Sequence, residues 1–294
     1  MPYVGEISAL ATAAFWSGSA VVFAAATARA GAIPVNVGRL ILAALYLGIL
    51  IPVMGFDARL SMTQTCLLAL SGLVGLAFGD SFLFKAFGEL GARVTMLIMS
   101  TSPAVAALLA WILLHETLSP YGILGILVTL AGVALVVAGG DGGAPAPFAW
   151  RGVTFAVLAA VGQGVGLIFA KMAFIEGEVN GFVATLVRIC ASLLVMVPLG
   201  IAESRASGAF RVFRTDRRAL GLTALGAILG PFLGISFSLI AVAHTDVGIA
   251  ATIMATVPIL MLPLVHFVYR ERLSWRAVAG AVIAVGGVAI LFLR

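Results

Sequence analysis

The chain repeats itself. Gly75, Gly79, Ser81, Phe82, Ala86, Ile98, Met99, Thr101, Pro103, Glu116, Ser119, Gly125 and Gly132 recur without a gap as Gly230, Gly234, Ser236, Phe237, Ala241, Ile253, Met254, Thr256, Pro258, Glu271, Ser274, Gly280 and Gly287, each 155 positions later. The duplicated stretch is almost wholly apolar, so the fold must be built from two copies of one membrane unit, a construction common among transporters.

Of the 294 residues, 62% are hydrophobic and 10% charged, whereas a soluble domain is about half apolar and about a quarter charged. A water-soluble core of this composition would have no surface to cover it. The first apolar segment lacks a basic n-region, so it is expected to be retained as a span and not cleaved as a signal peptide. Cys66 and Cys190 both fall in apolar segments; they are expected to be packing residues, not a disulfide or metal framework. The net charge of +5 arises mainly in short loops, where it reports membrane orientation and not nucleic-acid binding.

A helix needs about 20 apolar residues to cross the hydrocarbon layer. Ten segments qualify, near 4–27, 33–54, 65–88, 93–114, 120–139, 151–174, 180–201, 219–243, 247–268 and 275–293. The Gly/Pro-rich stretch from Gly139 to Pro147 reads as a linker. It divides the chain into a first five-helix repeat at 1–139, a linker at 140–150 and a second five-helix repeat at 151–294. Five is odd, so the second copy would enter the membrane with the opposite orientation. The expected fold is therefore an all-α integral membrane protein of ten transmembrane helices, arranged as two inverted repeats around a central cavity. Small residues at four-residue spacing allow close helix approach in lipid. Ser71, Gly75 and Gly79, their counterparts Gly226, Gly230 and Gly234, and the strip Gly162, Gly166 and Ala170 have that spacing, which places those spans centrally.

Ionisable residues within spans are costly, so they ask for a partner or a wet cavity. Asp80 and Lys85 have Ile235 and Ile240 as counterparts, so these charges are additions to the repeat, not requirements of it. Ser81, Lys85 and Glu89 share a helix face, while Asp80 must find a partner on another helix or serve function. Lys85 and Glu89 either snorkel at the membrane surface or face the cavity. Arg39 and Arg188, at similar depths in the second and seventh spans, either snorkel or bind an anionic group such as a carboxylate. Trp16 and Ser17 interrupt the first span, and Gln163 stands near the matching place in the sixth. Buried indole and amide groups need hydrogen-bond partners, from a helix or a solute. With Phe84 and Ser236 added, the candidate solute-binding set is Trp16, Ser17, Asp80, Ser81, Phe84, Lys85, Gln163, Arg188 and Ser236. Met96, Met99, Met254 and Met261 read as apolar filling or an adaptable pocket wall. Pro103, Pro258, Pro231 and Pro263 can bend their helices.

The run Gly79-Asp80 to Phe84-Lys85-Ala86, the stretch from Pro103 to Ser119 and the later Gly125 and Gly132 resemble the EamA repeat of the drug/metabolite transporter superfamily, as does the second copy from Gly230 to Ala289. The resemblance implies ten helices in a basket around a cavity, no cofactor, a small-molecule solute such as an amino acid, and residence in a bacterial inner membrane, with export as the expected direction. It also implies a structural role for Glu116 and Glu271. Expected partners are the solute, the lipid bilayer and, if transport is coupled, a proton carried by Asp80 or His244; the chain is expected to be a monomer or weak homodimer that does not bind nucleic acid. Arginines at 205, 211, 214, 217 and 218 share one face with those at 270, 272 and 276. The positive-inside rule would put that face in the cytoplasm and both termini outside, whereas members of the resembled superfamily are drawn with cytoplasmic termini. No phosphate-binding GxxxxGK[ST] loop is present, so no ATPase activity is expected. An intramembrane aspartyl protease is the alternative from another class, and a non-transporting scaffold a third. Against the protease, Ala77 replaces the first glycine of a GxGD motif, and no second span aspartate completes a dyad.

Overall fold

The computed structural model describes residues 3–113, 119–139, 150–207, 209–244, 250, 253–269 and 274–291. The linker at 140–149 and the loop residues His115, Glu116, Thr117 and Glu271 lie outside them. Among the described residues every regular element is helical: α1 (Val4–Ala30), α2 (Ala32–Met54), α3 (Met62–Gly72), the π-helical segment π1 (Leu73–Gly79), α4 (Asp80–Met99), α5 (Ser102–Leu113), α6 (Pro120–Gly139), α7 (Trp150–Ile175), α8 (Gly181–Ser207), a 3-10 turn (Ala209–Arg211), α9 (Val212–Thr215), α10 (Arg217–Ala227), π2 (Ile228–Gly234), α11 (Ile235–His244), α12 (Val257–Tyr269) and α13 (Trp275–Leu291). By length and composition six continuous helical stretches can cross a membrane, and shorter apolar helices follow within 120–135, 257–268 and 275–290. The chain is a multi-pass membrane protein.

Glycines mark several of the corners. Gly31 alone joins α1 to α2, at φ 84° and ψ 162°, a conformation open only to glycine. Gly55 closes α2 at φ 66°, its amide and that of Phe56 reaching back to Pro52 and Ile51, the pairing that satisfies the last carbonyls of a helix. Gly91, at φ 72°, breaks α4 internally and separates the third and fourth expected spans. A second break, the turn at Ser100–Thr101, has its counterpart at Ala255–Thr256. Pro103 and Pro258 are therefore not mid-helix kinks. Each follows the opening residue of a new helix, where a missing N–H costs little.

The halves interlock reciprocally. α1 packs on α10, π2, α11 and α12 of the second half, while α7 packs on α3, π1, α4 and α5 of the first. α6 and α13 form the most extensive helix pair. A Cβ on Gly132 would lie 2.8 Å from the Gly280 carbonyl oxygen, and one on Gly287 would lie 2.8 Å from that of Gly125. Contact positions rise along α6 as they fall along α13, so these two corresponding helices run antiparallel.

The surface is inside out relative to a soluble protein. Leu45, Ile49, Leu127 and Leu194 are more than half exposed, whereas Thr12, Asn36, Arg39, Ser71, Asp80, Arg188 and Ser192 are buried. That is the distribution expected when the surrounding solvent is lipid. Cys66 and Cys190 correct the expectation of packing residues: both thiols are free and exposed on the outer helix surfaces. Arg93, which a reading by charge alone would place in a loop with the basic face, is buried two residues past the break at Gly91.

Candidate functional site

Asp80 sits where π1 ends. Its amide bonds to the Gly75 carbonyl, five residues back, and wide turns of this kind recur at functional sites. Glycines at 75 and 79 let α7 approach: a Cβ on Gly166 would lie 3.1 Å from the Gly75 Cα, and one on Gly79 would lie 3.4 Å from the Gln163 amide. Ser71 donates its hydroxyl to the Gly166 carbonyl at 2.6 Å. The small-residue strip thus packs helices as expected, and by doing so it delivers Gln163.

Gln163 Nε2 donates to Asp80 Oδ1 at 2.6 Å and reaches the Gly75 carbonyl at 3.4 Å. From the opposite side α2 brings Arg39, whose Nη2 donates to Asp80 Oδ2. Arg39 Nε donates to Asn36 Oδ1 at 3.0 Å, Asn36 Nδ2 donates to Ser81 Oγ at 3.2 Å, and the Ser81 hydroxyl donates to the Ala77 carbonyl. The rings of Phe84 and Phe23 lie 4.9 and 5.7 Å from the Arg39 guanidinium. Asp80 and Arg39 are 3% and 4% exposed, so neither charge is stabilised by bulk water and each depends on the other. Asp80 has the interhelical partner its position demanded, and Arg39 does not snorkel.

Beside this network lies a cavity of about 220 Å³. Of the candidate residues, Trp16, Asp80, Phe84, Gln163 and Arg188 line it. Ser17 does not, because its hydroxyl is spent on the Ala13 and Val257 carbonyls as helix glue. Ser81 is directed to Asn36, Ala77 and the Met196 sulfur, and Ser236 is buried with an unpartnered hydroxyl away from the cavity wall. Lys85 is exposed, its Nζ 5.2 Å from the Phe82 ring centre, beside an open surface depression shared with Glu89 and Arg151. The face shared by Ser81, Lys85 and Glu89 therefore does not become one polar stripe. His244 is exposed, its ring nitrogen 3.0 Å from the Ile240 carbonyl.

Other lining residues stood outside the candidate solute-binding set, some of them, such as Arg39 and the methionines, with a pocket role left open by the sequence. Arg39 belongs to the site through Asp80, and Met96, Met99 and Met254 form part of the wall, while Met261 is core. Ser100, Ser102 and Ser238 add hydroxyls, and Phe23 and Phe87 add rings. The repeated Thr-x-Pro at Thr101–Pro103 and Thr256–Pro258 was the available signal, since it marks the helix breaks that open the wall. The glycines of the second half have another use: Gly226 and Gly230 seat the Phe23 ring and Gly234 seats the Trp16 indole, all at contact distances a Cβ would abolish.

The described helices form an apolar bundle around a polar-and-aromatic cavity, with the Asp80 carboxylate answered from two other helices, α2 and α7. The profile of the EamA-like transporter family matches residues 3–138 and again 150–293, so the chain belongs to that family of membrane transporters, in the drug/metabolite transporter superfamily. A protein of known crystal structure aligns over 97% of this chain and 95% of its own length, with a TM-score of 0.67 and 20% identity; that likeness shows the fold. Among curated proteins no sequence matches.

Proposed function

We propose that the protein is a secondary transporter, working as an exporter, for small polar or amphipathic metabolites in a bacterial inner membrane. Its ten spans form two inverted five-helix repeats, and alternating access comes from rocking one repeat against the other. The observation that carries this reading is the cavity itself, walled by both halves and flanked by two π-helical segments, Leu73–Gly79 and Ile228–Gly234, that occupy corresponding places in the two copies. The antiparallel crossing of α6 and α13 supports inversion. Against protease chemistry, both oxygens of Asp80 are engaged, by Arg39 and Gln163.

The test is counterflow in sealed proteoliposomes, in which preloaded solute accelerates entry of its labelled form without chemical change. Alongside it, accessibility tags in corresponding loops of the two halves should report opposite sides of the membrane. Absence of flux for every metabolite class, or tags facing the same side, overturns the reading.

A further inference from the structure

Two arginines reach the middle of the bundle, and they are not equivalent. Arg39 has a carboxylate, an amide oxygen and two aromatic rings around it. The Arg188 guanidinium, among the described residues, makes no hydrogen bond, ion pair or ring contact of this kind. Arg188 is 6% exposed, it lines the cavity, and its Nε has no hydrogen-bond partner. Its place is fixed by close packing, since a Cβ on Gly72 would collide with the Arg188 carbonyl, and Ser192 donates a hydroxyl to that same carbonyl at 2.7 Å. Beyond it lies the groove beside Gly75, where a Cβ would come 3.4 Å from an Arg188 Nη and 3.7 Å from Gln163 Oε1. The nearby acid is Asp80, which attracts Arg188 only through space and already carries Arg39. Arg39, Asp80 and Arg188 together leave the cavity with one uncompensated positive charge.

A buried guanidinium without a counter-ion is costly, and a planar fork of donors matches a carboxylate in two-point geometry. An ammonium would find no acid here whose charge is free. The remaining wall, with Leu76, Leu83, Phe87, Met96 and Met99, is apolar and deformable, suited to a hydrocarbon or aromatic body. We infer that the cavity selects amphipathic monocarboxylates, with the carboxylate on Arg188 and the apolar part against the methionines and phenylalanines. This rests on the transporter reading of the same cavity and narrows its solute class.

The probe is the isosteric pair 3-phenylpropanoate and 3-phenylpropanamide with the cationic 3-phenylpropylamine of the same chain length, measured by thermal stabilisation of the purified full chain and by equilibrium binding. The carboxylate should bind at least about tenfold more tightly than the amide or the amine. In Arg188→Gln that preference should vanish while the Tm without ligand is kept or raised, because an uncompensated charge has been removed; Arg188→Lys should retain part of it. Equal or tighter binding of the amide or amine, no binding of the carboxylate, or a preference that survives Arg188→Gln overturns the inference. Counterflow separates the two readings: carboxylate binding without flux would sink transport and leave the anion site standing, whereas flux of neutral or cationic solutes untouched by Arg188→Gln would do the reverse.

Discussion

Thr129 donates its hydroxyl to the carbonyl of Ala284 at 3.4 Å, and Ala284 is the residue standing at Thr129's own position in the second copy. A contact between corresponding residues on helices that run antiparallel supports the two-fold axis of the inverted arrangement proposed above. Around this point Gly132 and Gly287 make the reciprocal approaches described above.

Gly132→Ala and Gly287→Ala should therefore both destabilise the protein, by about 1–3 kcal/mol each, since the added methyl meets backbone that cannot swing aside. Thermal unfolding in detergent checks this; a change confined to one of the pair would argue against the axis.

Asp80→Asn strands the buried Arg39 charge. Removing one member of such a pair costs about 3–5 kcal/mol, so the variant should unfold at lower temperature and transport poorly. The double variant Arg39→Gln, Asp80→Asn should regain much of the stability, which a double-mutant cycle on Tm would read directly.

Gln163→Ala removes the donor to Asp80 Oδ1 and the contact with the Gly75 carbonyl. The Gly75 carbonyl keeps the Asp80 amide, but leaving Asp80 Oδ1 without its donor costs about 1–3 kcal/mol, and solute flux should fall because Asp80 loses one of its two anchors. Flux assays at matched membrane insertion test it; unchanged flux would remove Gln163 from the site.

Outside the spans, Arg29 at the end of α1 bonds Asp216, the N-cap of α10, at 2.8 Å. The Arg29 hydrogen bond, followed by the amide of Ala219, holds the Asp216 carboxyl below its ordinary value. A depressed folded pKa contributes stability that is present above the unfolded value and is lost as pH falls through the folded one. Asp216→Ala should thus be less stable than the parent near neutral pH, with the gap closing in acid and shrinking in high salt. Tm measured across pH and ionic strength checks both trends.

Local pattern was enough to read the duplication and the all-helical apolar character, because lipid forces helical backbone and glycine spacing declares close packing, whereas the break at Ser100–Thr101 inside the expected fourth span was not legible. Asp80 and Gln163 were legible as members of the site for the same reason: polar groups in an apolar run must be answered somewhere. What answers them was not legible. Period and propensity say nothing of which helix faces which, so only the assembled bundle paired Asp80 with Arg39, spent Ser17 and Ser81 on backbone carbonyls, left Lys85 outside and gave Arg188 no ion-pair partner among the described residues. Those outcomes turn on distances of a few ångströms between segments far apart in the chain, and such distances are set by the packing of all the helices at once.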